Sequence, residues 1–424
     1  MTITKTDLYP HVSLTCISTD KFKYSNLTMN FITKLTRETA SANALLPRVL
    51  LRGSKNLPGM AEISATLDEL YGTRIEAITR KKGELYGLGF YIDFPDGRYL
   101  PNSDNILEKA IDVAGELLLS PLLHDGYLCE EYIESEKSNL IDDIHAIIND
   151  KRNYSVSRLL EQMCDDEAYG VNKLGTENEA KAITKESLTS HYFDIINNSE
   201  LKIFYCGSAS SDQVESALKK ALHTLPIRKA TTTPTTEILF TPKTDEPRRF
   251  TESLDVTQGK LVAGFRMGET MKSPNYPAMM MFNAIYGDGV SSKLFVKVRE
   301  ELSLCYMINS MVDKHKGIML VAGGFDFLNF DKALNEIFLQ LDNIKNGDIS
   351  AQEFETAKNS IISEIKSSLD RPGGLESFYF DSVTAAISYD PLTLCDDVQS
   401  VTMQDVIDIA SHIKTDSIFY LKGN

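Results

Sequence analysis

Tyr286–Tyr306 reads YGDGVSSKLFVKVREELSLCY. Gly287 and Gly289 make a flexible turn, after which Ser291 or Ser292 is placed to cap a helix. Leu294, Phe295, Val298 and Leu302 recur at helical spacing and form the buried stripe of that helix. Arg299, four residues after Phe295, projects from the edge of the stripe. The helix is expected to end near Ser303, with Tyr306 opening a strand beside it.

The tract leading into this turn, FNAIYG ending at Gly287, has an earlier counterpart in LDELYG ending at Gly72, an offset of 287 − 72 = 215 residues. Further pairs keep the same order along the chain. NLTMNFITKL (Asn26–Leu35) is echoed by KLVAGFRMGE (Lys260–Glu269), and YIDF (Tyr91–Phe94) by GFDF (Gly324–Phe327). EKSNLIDDI, ending at Ile144, is echoed by AKNSIISEI, ending at Ile365, and KIFYC (Lys202–Cys206) by SIFYL (Ser417–Leu421). Each match is weak alone; in register over two halves of similar length, they read as two homologous domains.

Between the halves lies a Thr- and Pro-rich stretch, PIRKATTTPTTEILFTPKTDEPRRF (Pro226–Phe250), with little apolar periodicity. It divides the chain into a domain over residues 1–228, a linker over 229–249 and a second domain over 250–424. Lys109–Leu119 and Leu123–Ile148 have helical spacing, whereas LYGLGFYIDF (Leu85–Phe94) reads as a strand following directly on another strand. Strict strand–helix alternation is absent. The expected class is α+β: in each domain a mixed, largely antiparallel sheet with helices on one face.

The stretch at Tyr286–Tyr306 closely resembles the C-terminal-half signature of the insulinase, pitrilysin and mitochondrial processing peptidase family. There a glycine turn, an S-S-x-L-F helix and an R-E segment are followed by Tyr seven residues after the Arg. The likeness extends to LDELYGTRI (Leu67–Ile75) and YGVNKLGTENEAKAIT (Tyr169–Thr184), nearly the whole chain. It implies half of a clam shell, in which two such domains face two more around a chamber that holds a peptide. It also implies that Arg299 and Tyr306 act on a zinc site carried by a facing domain, which in two-chain members belongs to another subunit. An Arg holds peptide carbonyls with fixed donors, and a Tyr hydroxyl donates to a developing oxyanion. Outside such a motif, Arg299 would be read as paired with a nearby acid and Tyr306 as packed in the core.

Catalytic members of that family carry H-x-x-E-H on a helix, two His for zinc and a Glu to activate water, with a second Glu downstream. The matching segment here is ANALLPRVLLRGS (Ala42–Ser54). Ala44 and Arg48 fall at the two His positions and Pro47 at the Glu base. Ala has no donor atom, Pro has no carboxylate, and Arg48 is a permanent cation. Pro47 is also expected to break or restart the helix. Asp143 matches the downstream Glu, but one carboxylate is not a metal site. The seven His residues, at 11, 124, 145, 191, 223, 315 and 412, never stand at helical spacing to one another. The chain is therefore expected to bind no cofactor, with zinc on a partner subunit.

Composition narrows the remaining classes. Lys and Arg total 44 against 60 Asp and Glu, a formal charge of −16, and no Lys/Arg run stands out as a basic patch, which argues against nucleic acid. The surplus acid is read as a solubility feature rather than as a lure for basic peptides. Six scattered cysteines without a C-x-x-C pair suggest neither a disulfide framework nor a thiolate metal site. The N-terminus lacks a signal-peptide apolar region and no run of 18 apolar residues occurs, so a cytoplasmic protein with no membrane span is expected. The leading function is a catalytically incomplete subunit that binds peptide and lends Arg299 and Tyr306 to a homologous H-x-x-E-H chain. The competing reading is a homodimer that encloses peptides without cutting them, and a third is thiol chemistry at Cys305, beside Tyr306.

Overall fold

The structure, a computed structural model, describes residues 1–101, 105–226 and 234–424. Residues 229–233 of the expected linker lie outside the described residues. The chain forms two compact units, but they do not follow its halves. One comprises Met1–His145, Asn172–Thr235 and Leu369–Asp381; the other comprises Ala146–Val171, Thr236–Ser368 and Ser382–Asn424. Each half thus lends the opposite unit a segment, which a single cut at the linker does not capture.

The first unit is built on a six-stranded sheet in the order Thr2–Tyr9, Val12–Ser18, Glu200–Gly207, Tyr24–Lys34, Leu85–Pro95, Arg74–Lys82. Val12–Ser18 and Glu200–Gly207 run parallel and every other neighbouring pair antiparallel. Because side chains alternate across a strand, Leu27, Met29 and Phe31 share one face and Asn26, Thr28 and Asn30 the other. The apolar face packs under helices: Phe31, Leu88 and Phe90 enclose a small cavity with Leu46 and Leu50 of helix Arg37–Leu50, Leu118 of Ile106–Leu119 and Ile195 of Lys185–Asn198. The opposite face carries the borrowed segment Leu369–Asp381, whose Leu375 and Tyr379 pack on Ile17, Phe204 and Cys206. Its buried Glu376 accepts from Thr28 Oγ1 (3.0 Å) and Arg80 Nη1 (2.6 Å).

The second unit repeats that strand order with one strand fewer: Cys305–Asp313, Ile318–Phe325, Gly259–Arg266, Lys414–Gly423, Arg248–Leu254, with only the last pair parallel. The strand strings matched in the sequence occupy equivalent places, Tyr24–Lys34 with Gly259–Arg266 and Glu200–Gly207 with Lys414–Gly423. Phe265 meets Phe338 of helix Phe330–Lys345 edge-to-face on one side of the sheet. On the other side lies the borrowed helix Lys151–Met163, whose Leu159 and Met163 pack on Val262, Leu320, Ala322, Phe419 and Leu421. A Cβ at Gly264 would come within 2.6 Å of Met163 Sδ, so this close approach requires glycine.

That helix is also tied down by charge. Arg266, fully buried, donates from Nε to Asp416 (2.8 Å) and from Nη1 and Nη2 to Glu167 (3.0 and 2.6 Å). Lys316 Nζ reaches the same Glu167 at 2.7 Å, and Arg248 reaches Asp416 at 3.1 Å. Burial alone would raise the Glu167 pKa, but the bonds from Arg266 and Lys316 hold it below the usual carboxylate range.

Two local expectations fail. Helix Arg37–Leu50 continues past Pro47 without a break. Proline forfeits one backbone bond there, but the helix is held from outside by burial of Ala40, Ala44, Leu45, Leu46, Val49 and Leu50. Leu123–Ile148 is not one helix: Leu123–His124 and Tyr127–Leu128 form a small hairpin around Asp125 and Gly126, both at positive φ, and the helix begins at Glu130. Among the described residues, no helix is long and apolar enough to cross a membrane.

Candidate functional site

In the second unit the glycine turn leads into a short helical segment that widens to π geometry over Phe295–Glu301. Ser292 Oγ accepts the Phe295 N–H, and the ladder lengthens to Leu302 N–H on Lys297 O (3.0 Å). Such widened turns shift side chains off the regular helical stripe. Leu294 and Val298 are fully buried, Phe295 and Leu302 only half-buried. Ser303, at φ 49°, reverses the chain into strand Cys305–Asp313. This strand lies at the sheet edge, and its register to Ile318–Phe325 slips between Cys305 and Ile308. That bulge holds Tyr306 and Met307 and turns both outward.

Tyr306 is 78% exposed, so it does not pack in the core. The Arg299 guanidinium lies between two rings, 4.4 Å from the centroid of Phe295 and 5.3 Å from that of Tyr306. Its acidic neighbour, Glu300, stands 3.3 Å from Nε and is itself exposed. The structure therefore brings Arg299 and Tyr306 together, holds the cation by stacking, and leaves the phenol hydroxyl facing water. Cys305 next to them has its thiol pushed up to about 11 by burial, against the opposing pull of Arg299. A thiol so raised is a poor nucleophile near neutrality, which counts against chemistry at this cysteine.

In the first unit, helix Arg37–Leu50 presents Ala44, Pro47 and Arg48, and helix Glu130–Ala146 presents Asp143. The fold brings the two outer positions together: Arg48 Nη1 is 2.8 Å from Asp143 Oδ2. Ala44 and Pro47 are buried with no donor atom to offer. The carboxylate that remains already faces a permanent cation, so these residues do not fit a zinc ion. One turn away, His191 Nε2 is engaged with Asn43 Oδ1 at 2.8 Å, and burial lowers its pKa. Among the described residues, no cluster of three or more His, Cys, Asp or Glu is placed to hold a metal.

Sequence reasoning missed Arg152. It stands at the start of the borrowed helix, donates to Asn309 Oδ1, and lies 3.2 Å from Met307 Sδ at the bulge. Asp150 caps that helix, and D-x-x-N there was a legible start signal. Nothing local tied the helix to the strand it meets, since the two contacts span 155 and 157 residues of sequence.

Two α+β units on one strand order, with Ala44, Pro47 and Arg48 at a locus that does not fit zinc, define a metallopeptidase-like chain. The sequence model of the Peptidase M16 inactive domain matches residues 182–361. A Bacillus subtilis (strain 168) protein described as the probable inactive metalloprotease YmfF is 33% identical over 407 residues, covering 96% of this chain and 95% of that one. A conserved protein from Enterococcus faecalis V583 superposes with a TM-score of 0.91 at 26% identity, covering 100% of this chain and 99% of the other. The peptidase M16 inactive domain from Pseudomonas fluorescens gives a TM-score of 0.82 over 100% and 99% of the two chains; at 14% identity it speaks for the fold alone. The chain belongs to the M16 family, that of insulinase, pitrilysin and the mitochondrial processing peptidases, as an inactive metalloprotease homologue.

Proposed function

We propose that this chain is the non-metal subunit of a two-chain zinc peptidase, binding peptide and supplying Arg299 and Tyr306 to the zinc site of an H-x-x-E-H partner. On this reading it binds no zinc of its own and works in the cytoplasm. The observation that carries the proposal is the contrast between the two loci. Tyr306 is presented to solvent at a sheet edge with Arg299 stacked on it, whereas Arg48 and Asp143 neutralise each other where a metal would sit. Bulges are over-represented beside active sites, where they re-aim a side chain.

The residues would divide the work by chemistry. Arg299, always charged, holds peptide carbonyls through its fork of N–H donors. The Tyr306 hydroxyl donates a hydrogen bond to the carbonyl oxygen as charge builds on it, worth roughly 10²- to 10³-fold in rate for a donor of this kind. The test is affinity purification from native cells, mass spectrometry of the equimolar partner, and peptidase assays of the reconstituted pair. Tyr306→Phe and Arg299→Ala should each lower kcat at least tenfold while leaving assembly intact. Full activity of both variants would refute the assignment. Recovery of this chain alone, as a peptide-binding dimer, would replace it with the non-cutting alternative.

A further inference from the structure

Two arginines of the second unit are held in opposite ways. Arg266 commits its N–H donors to acids, Nε to Asp416 and Nη1 and Nη2 to Glu167, and has nothing left for a ligand. Arg299 is held by rings instead: its guanidinium carbon lies 4.4 Å from the centroid of Phe295 and 5.3 Å from that of Tyr306. An aromatic face attracts a cation through its quadrupole and does not use up the N–H groups at the end of the fork. Only Nε has an acid beside it, the exposed Glu300 at 3.3 Å. Nη1 and Nη2 donate to no group among the described residues, and the side chain is 33% exposed. An arginine so held is fixed in place yet keeps its two amino groups for something outside the chain.

Tyr306 is the outer ring of this arrangement and Phe295 the inner one. Phe295 stands four residues before Arg299, at a spacing that makes helical residues neighbours. The segment that carries it is anchored independently of the ring. Leu294 and Val298 are fully buried, and Lys293, 6% exposed, reaches Glu353 at 2.9 Å. Phe295 itself is only half-buried, and what its ring covers is the guanidinium.

We propose that Phe295 is a positioning residue, whose ring fixes Arg299 beside Tyr306 so that the uncommitted amino groups meet a peptide carbonyl in one orientation. The inference rests on the role proposed above for Arg299 and names the residue through which that role is prepared. A mobile arginine loses side-chain freedom each time it engages a ligand, and a ring that has already ordered it removes part of that cost. A salt bridge at Nη1 and Nη2 would order it too, but would occupy the fork that recognition needs.

The experiment is a mutant cycle in the complex recovered from native cells, read as kcat on a peptide that the complex cleaves. A second arm observes the full chain by NMR with isotope-labelled arginine. Phe295→Leu keeps an apolar side chain on an anchored segment and removes the ring. It should lower kcat about fivefold, the factor that one cation–π contact provides, and Phe295→Tyr should restore it. With Arg299 already changed to Ala, Phe295→Leu should have no further effect, whereas a merely structural role would lower activity by the same factor in both backgrounds. In the native chain the ring current should move the Arg299 Hε resonance upfield, and Phe295→Leu should return it to the ordinary arginine range. Native kcat in Phe295→Leu, equal losses in both backgrounds, or an unshifted Hε would each overturn the positioning role and leave the function proposed for Arg299 standing. Full activity of Arg299→Ala, or recovery of no cleaving complex, would overturn that function and the inference with it.

Discussion

Replacing Glu167 by Gln removes one charge from the buried network of the second unit and leaves two cations behind. In the native chain Glu167 neutralises Arg266 and Lys316, with contacts of 2.6 and 2.7 Å, and all three side chains are almost fully enclosed. After the change Asp416 still faces Arg266, while Lys316 loses its 2.7 Å contact with a buried carboxylate and keeps its bond to Glu237 O. Breaking a buried pair from one side costs about 3–5 kcal/mol, because the stranded charge is not returned to water. With a urea dependence of about 2–3 kcal/mol per molar, the midpoint should fall by roughly 1–2 M. Hydrogen exchange localises the loss: amides of Gly259–Arg266 should lose protection while those of Tyr24–Lys34 keep theirs. The dependence on pH follows from the same bonds. Because the Glu167 pKa is lower in the folded chain, its stabilisation is complete above the unfolded value and is lost as pH falls through the folded one. The variant and the native protein should therefore converge only once the pH has fallen below the depressed Glu167 value of the folded chain. A midpoint at neutral pH within 0.2 M of native, on the order of the measurement error, would refute the reasoning.

Three further outcomes are expected. At pH 8 only about a thousandth of Cys305 is thiolate, given its pKa near 11, so iodoacetamide should label it far more slowly than a free thiol; rapid labelling would contradict the burial argument. Zinc titrated into the apo chain should show no binding by calorimetry at micromolar concentration, and Arg48→His alone should not create it, because Ala44 still lacks a donor; stoichiometric uptake by either protein would overturn the fit argument. Arg48 and Asp143 are 25% and 54% exposed, so a double-mutant cycle to Ala should give a coupling of only about 0.3–1 kcal/mol, smaller still in 0.5 M salt; a coupling above about 2 kcal/mol would show that the pair is a structural staple.

Much of this architecture was legible because it is local. The run Leu85–Phe94 marks a strand and the helical spacing in Lys109–Leu119 a helix, and both elements form where expected. The motif around Arg299 was legible for a different reason, a resemblance that carries its turn, helix and strand together. Pro47 shows the limit of local reasoning: its penalty is real, but six buried neighbours on the same helix outweigh it. The hairpin at Leu123–Leu128 hid inside apolar residues that also fit a helix, and only Asp125-Gly126 marked the turn. Arg266 gave no sign of burial, since an arginine at a strand end is ordinarily solvated. Its partners, Glu167 and Asp416, stand 99 and 150 residues away. Arg152 and Arg48 were obscure for the same reason: the acids, amides and sulfur they meet arrive from distant segments.

The reciprocal loan of segments has a consequence for biosynthesis. The first unit is not complete until Asp381 has left the ribosome, although its last sheet strand ends at Gly207. Through that interval the face bearing Ile17, Phe204 and Cys206 has no cover from Leu375 and Tyr379, and a nascent chain with such a surface is a natural client for chaperones. The second unit, for its part, cannot close its core over Lys151–Met163 until Lys414–Gly423 has been made, because Phe419 and Leu421 belong to that core. The two halves must then finish folding nearly together, at the end of synthesis. A protease nick within the linker would give two fragments, each missing part of its own core, that regain order only by complementing one another.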